Sequence, residues 1–101
     1  MSTMALNAVG SEQLTVAGTA VALTGLTGLK PTHALIQVRN APIRWLAGGT
    51  TPTATLGIRV DAEGFIQWLE PDTNYRQLIE GSAKFIRETG TSAVLEVIYF
   101  S

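Results

Sequence analysis

The sequence predicts an all-β domain, a small β-sandwich or jelly-roll-like fold of about eight short strands. Two observations carry that expectation. Apolar and polar residues alternate with a period of two along much of the chain, the mark of strands with one buried face. Glycine, proline, asparagine and threonine interrupt the alternation at intervals of roughly ten residues, the turn spacing of sandwiches and barrels. A chain of 101 residues suits one domain, and folding at that size buries about 60–65% of the surface the unfolded chain exposes. There is no cysteine, so disulfide staples and thiolate metal sites are excluded. Such a composition suits a reducing compartment.

The first strand runs through Leu14 and Val16, which alternate with Gln13 and Thr15 before Ala17, Gly18 and Thr19 turn the chain. Val21 and Leu23 form a second short strand. Residues 24–29 are a loop leading to Pro31, which blocks a helix because it lacks an N–H and locks its φ. The third strand covers residues 33–40, with Ala34, Ile36 and Val38 on one face and Leu35, Gln37 and Arg39 on the other. Beyond Asn40 and Pro42, Ile43 and Trp45 point inward and Arg44 points away. Gly48, Gly49 and Pro52 mark a loop, since a central strand tolerates neither paired glycines nor proline.

Residues 54–60 hold the most regular alternation, Ala54, Leu56, Ile58 and Val60 against Thr55, Gly57 and Arg59. Residues 61–64 turn, and residues 65–70 form a strand apolar on both faces. After a second turn, residues 75–80 read as a strand or one helical turn. Residues 83–88 and 92–100 close the chain. The last strand sets Leu95, Val97 and Tyr99 against Val94, Ile98 and Phe100, with Glu96 as the one charge among the latter. Residues 1–10 show no strand partner and read as an N-terminal arm ahead of a single β domain at residues 11–101.

Seven Lys+Arg against eight Asp+Glu give a formal charge of −1, so no nucleic-acid partner is expected, because phosphate binding wants a basic excess. No apolar run approaches the roughly 20 residues of a membrane helix, and no basic region precedes a compact apolar core as in a signal peptide. Charged residues are only 15%, against about 25% in ordinary domains. That scarcity leaves neutral and apolar surface of the kind a partner tends to cover. The residues expected at assembly contacts are Met4, Leu6, Leu46, Trp68 and Ile98.

Catalytic equipment is not expected. His33 is the single histidine; it opens an apolar strand with no acid beside it, and a zinc site needs more nitrogen or sulfur ligands than one histidine supplies. Gly48-Gly49-Thr50-Thr51 lacks the lysine and following helix of a phosphate loop. Asp61-Ala62-Glu63-Gly64 lacks the further ligands of a calcium loop, because apolar strand residues follow it. Glu96 is expected to pair with Arg44, Arg59 or Arg87 across the sheet. With Trp45 in the core, Trp68 and Tyr75 are the candidates for a stacking platform, as a carbohydrate-binding module would need. No cofactor or metal is expected.

Three blocks carry a family resemblance. They are Asn40-Ala41-Pro42-Ile43-Arg44-Trp45, then Gly49-Thr50-Thr51-Pro52-Thr53-Ala54-Thr55-Leu56-Gly57, and a closing block over residues 85–99 containing Arg87, Thr89, Gly90, Ser92, Leu95, Val97 and Tyr99. They resemble the small β-sandwich structural proteins of tailed-bacteriophage virions, over about 60 of the 101 residues. The family's Asp before Gly-Thr is Gly48 here, and its Ala-Gly-Asp turn is Ala62-Glu63-Gly64. The resemblance implies a non-enzymatic virion component made in the host cytoplasm. It implies a capsid decoration (cement) protein, a homo-oligomer with a trimer favoured, whose partner is the major capsid protein or another virion protein. A head–tail or tail component and, from another class, a carbohydrate-binding module are the alternatives.

Overall fold

The computed structural model describes residues 6–101 and folds as eight strands and one wide helical turn. The strands are β1 (Ala8–Val16), β2 (Val21–Ala22), β3 (His33–Arg39), β4 (Ile43–Leu46), β5 (Ile58–Val60), β6 (Phe65–Trp68), β7 (Lys84–Arg87) and β8 (Ala93–Phe100); the helical turn is Leu78–Ser82. They form two antiparallel four-stranded sheets, ordered β1-β8-β3-β6 and β2-β7-β4-β5. Every connection except β4–β5 crosses from one sheet to the other, and the first strand pairs with the last. That order is the jelly roll, an all-β sandwich of eight strands.

The core follows from alternation. Along β3 the burial runs His33, Ala34, Ile36 and Val38 inside, and along β8 it runs Ala93, Leu95, Val97 and Tyr99 inside. These side chains meet Ile43 and Phe85 of the second sheet. Trp45 and Trp68 close the core edge to face at 5.6 Å, and Phe85 packs on both. Edge-to-face pairs of this kind add stabilisation beyond the area they bury.

Short connections gather at one end of the sandwich, where Arg87 N donates to Ala17 O and Glu88 N donates to Pro42 O, each at 3.1 Å. The long connections after β2, β4 and β6 gather at the other end, and Tyr75 N donates there to Thr32 O at 2.8 Å.

Three expectations are corrected. Of the arm expected at residues 1–10, residues 1–5 lie outside the described residues and the last three belong to β1, because β8 is long enough to pair with them: Ala8 sits opposite Phe100 and Gly10 opposite Tyr99 across a bulge. Of residues 54–60, only Ile58–Val60 is a strand. Thr53 folds the start of that stretch into a turn, its Oγ1 accepting from Leu56 N at 3.0 Å, and Gly57 at φ 133° breaks the extension. Trp68 is buried at 6% exposure rather than on an interface. Its inward face is selected by Ala34, the small residue opposite it, and by Tyr75 stacked on its ring at 6.3 Å.

Candidate interaction surface

The outer face of the β1-β8-β3-β6 sheet is built from the residues that alternate with the core. One row across it reads Ser11, Ile98, Leu35 and Gln67; the next reads Gln13, Glu96, Gln37 and Phe65. A third row holds Thr15, Val94 and Arg39. Phe65 is 53% exposed and Ile98 40%, so two large apolar side chains stand in solvent on a sheet face whose other residues are mostly polar, with Leu35 and Val94 half-buried among them. A sheet with one solvated face ordinarily keeps that face polar.

Between the rows lies an open groove of about 310 Å³ lined by Gln13, Arg39, Asn40, Glu63, Val94 and Glu96. Gln13 Nε2 donates to Glu96 Oε1 at 2.5 Å. Gln37 Nε2 donates to Glu63 Oε2 at 3.4 Å, and Arg39 Nε stands 4.0 Å from the same oxygen. Glu96 is therefore held by a neutral amide, not by the arginine expected from sequence. Arg44 and Arg59 belong to the other sheet, and Arg87 Nη1 reaches Ser92 Oγ at 3.5 Å.

On the opposite outer face, Glu88 gathers two arginines. It accepts from Arg59 Nε at 2.7 Å and lies 3.0 Å from Arg44 Nε, a charge contact whose N–H is not aimed at the oxygen. Arg59 also pairs with Asp61. The Arg59 hydrogen bond, followed by the charges of Arg59 and Arg44, holds the Glu88 carboxyl below its ordinary value against the opposing effect of burial. Hydrogen bonds to Glu88 and Asp61 raise Arg59 in turn.

At the long-loop end a buried tyrosine fastens the β2–β3 connection. Tyr99 Oη donates to Glu12 Oε2 at 2.5 Å and accepts from Gly25 N at 3.2 Å. Thr24 Oγ1 donates to the same Glu12 oxygen at 2.5 Å. Burial, then the Glu12 hydrogen bond, pushes the Tyr99 hydroxyl above its ordinary value.

His33 is fully buried as the first residue of β3. Its Nδ1 lies 2.8 Å from Thr32 Oγ1 and its Nε2 3.1 Å from Glu70 O. A carbonyl only accepts, so Nε2 carries the hydrogen. Among the described residues, no three His, Asp or Glu side chains converge as a metal ligand set.

Of the five expected contact residues, Met4 lies outside the described residues. Leu6 and Leu46 are half-buried, Ile98 is exposed, and Trp68 is in the core. Leu46 pairs with Lys84 on the second sheet, so the fold does not bring Leu46 and Ile98 together. The residue missed was Phe65. Its signal was present: once Ile66 and Trp68 face inward, alternation sends Phe65 out. No family model, curated protein or solved structure matches this chain.

Proposed function

We propose that this chain is a non-enzymatic structural protein of a tailed-bacteriophage virion, a capsid decoration protein that grips the shell. The observation that carries the reading is the outer face of the β1-β8-β3-β6 sheet, with Phe65 and Ile98 exposed beside Leu35. The three sequence blocks resembling virion proteins support it from a separate direction. A jelly roll serves capsid and lectin domains alike, so fold alone favours neither. The surface supports the capsid reading. A sugar platform wants exposed tryptophan, and here Trp45 and Trp68 pack on each other. Self-association about a local three-fold axis of a shell, as three copies or three pairs of copies, covers the remaining apolar surface.

Copy number in purified particles is the test. A decoration protein is recovered with assembled capsids in a ratio near that of the shell protein, and Phe65→Ser together with Ile98→Ser lowers that recovery without unfolding the domain. Recovery in a few copies per particle means a head–tail or tail component instead. Absence from particles, with binding to an immobilised glycan, means the sugar-binding class.

A further inference from the structure

We propose that β1 is a self-association edge, along which two copies of this chain pair antiparallel about a two-fold axis at Gln13 to make one continuous sheet. This inference stands on the edge geometry alone and does not depend on the virion reading.

A sandwich of two open sheets has four edges, and edges left unpaired are templates for another strand. Three of the four are blunted by shortness: β2 has 2 residues, β5 has 3 and β6 has 4. β1 has 9. It hydrogen-bonds to β8 along one side, and among the described residues no backbone group pairs with its other side. Proline and lysine, the residues that commonly guard an edge, are absent from its sequence AVGSEQLTV. Its bulge is confined to Ala8 and Gly10. Its one charge, Glu12, points inward, a place where a charge can guard an edge, but its carboxylate is already held within the fold by Tyr99 and Thr24.

The occupant is argued from the same residues. A row of free N–H and C=O groups on an extended backbone is matched by another extended backbone. A second copy of β1 brings that backbone with uncharged outer side chains, Ser11, Gln13 and Thr15, so no like charges meet on the outer face.

Charge also selects the register. Residues opposite each other must share a face, so a symmetric pair centres on one residue. Centring on Glu12 sets two carboxylates directly opposite, a destabilising arrangement. Centring on Ser11 runs the ladder into the bulge. Centring on Leu14 shortens it. Centring on Gln13 pairs residues 10–16 with residues 16–10 and sets Glu12 against Leu14. The two Glu96 carboxylates then lie three strand spacings apart, about 14 Å, beyond the screening length of about 8 Å at physiological salt.

The chain's lack of cysteine makes single introduced thiols a clean readout. Gln13→Cys places two thiols on the axis, within disulfide reach. Thr15→Cys keeps its thiols about 14 Å apart along the antiparallel ladder, beyond the roughly 7 Å limit between Cα atoms. Thr91→Cys, in the exposed β7–β8 turn, reports random collision. With glutathione buffer as oxidant, Gln13→Cys is expected to convert most of the protein to a covalent dimer, while Thr15→Cys and Thr91→Cys stay at background. The unmodified protein is expected to sediment in multiples of two protomers at micromolar concentration. A monomer or an isolated trimer by sedimentation overturns the pairing, as does Gln13→Cys crosslinking no faster than Thr91→Cys. Crosslinking at Thr15→Cys in place of Gln13→Cys overturns the register. An isolated trimer that binds capsids would leave the virion reading standing, so the two proposals fail separately.

Discussion

Tyr99 shows how one hydroxyl ties three segments together. Its ring fills the core while its oxygen joins β8 to Glu12 on β1 and to the Gly25 amide of the β2–β3 loop. Tyr99→Phe keeps the ring but takes the acceptor from the Gly25 amide and leaves Glu12 with Thr24 alone, an expected loss of about 1–3 kcal/mol in urea unfolding at neutral pH. The hydroxyl also shapes the alkaline limb of stability. Its folded value is raised above the ordinary 10.0, so the folded state holds the proton that the unfolded chain releases. The stabilisation is whole below about pH 10 and is lost as pH rises beyond it; Tyr99→Phe should flatten that limb, and an unchanged slope would remove Tyr99 as its source. Glu88 has the opposite sign. Its folded value is depressed below the ordinary 4.5, so its contribution is present at neutral pH and is lost as pH falls below about 4.5. Thermal melts of Glu88→Gln across the acid range should show a shallower decline than the unmodified protein. Trp68, which the sequence placed on an interface, now predicts a folding defect. Trp68→Ala is expected to cost about 3–5 kcal/mol, with no oligomer-specific effect.

At the scale of the element, strands were legible where one face is buried and its neighbours are regular. β3 and β8 alternate as the sequence demands because each lies between two partners, which force every second side chain into the core. Residues 54–60 alternate just as well on paper and are mostly not a strand. Edge position explains it: β5 pairs only with β4, so nothing extends it past Ile58, and the Thr53 hydroxyl offers the backbone a local turn instead. Gly57 enforces the change. At φ 133° an added Cβ would stand 3.1 Å from Trp45 O, so Gly57→Ala is expected to destabilise by about 1–3 kcal/mol. Gly90 is the control. Its φ is not left-handed and its added Cβ meets nothing within 4 Å, so Gly90→Ala should be neutral or slightly stabilising. Equal melting shifts for the two variants would mean that strain at Gly57 is not what ends β5. The exposed surface was the least legible part of the candidate site, because alternation sorts residues into two faces without naming the buried one. For β6 that choice was made by Ala34, distant in sequence, and by Tyr75, beyond the following turn, both adjacent to Trp68 in the fold.

The order of strands was not legible at all, since it is set by pairings between distant segments, with β1 on β8 as the extreme case. Non-local pairing of this kind makes folding slow, because chain closure is opposed by entropy before contacts reward it. Refolding on the millisecond-to-second scale is therefore expected. The same pairing brings the two ends of the described residues together: Asn7 N donates to Ser101 O at 3.1 Å, and Ser101 N donates back to Asn7 O at 3.0 Å. A short Gly/Ser linker joining the ends adds little strain and removes most of the closure entropy for β1 on β8. Reopening the chain between Gly48 and Gly49 cuts an exposed loop, where both residues sit at positive φ and neither Cβ position meets a neighbour. Such a permutant should keep the β-sheet circular dichroism spectrum and refold faster than the parent, since the longest-range pair has become local. If it refolds at the parent's rate, closing β1 on β8 is not part of the rate-limiting step. If it fails to fold, the β4–β5 hairpin, the single connection that stays within one sheet, is needed intact to start the fold.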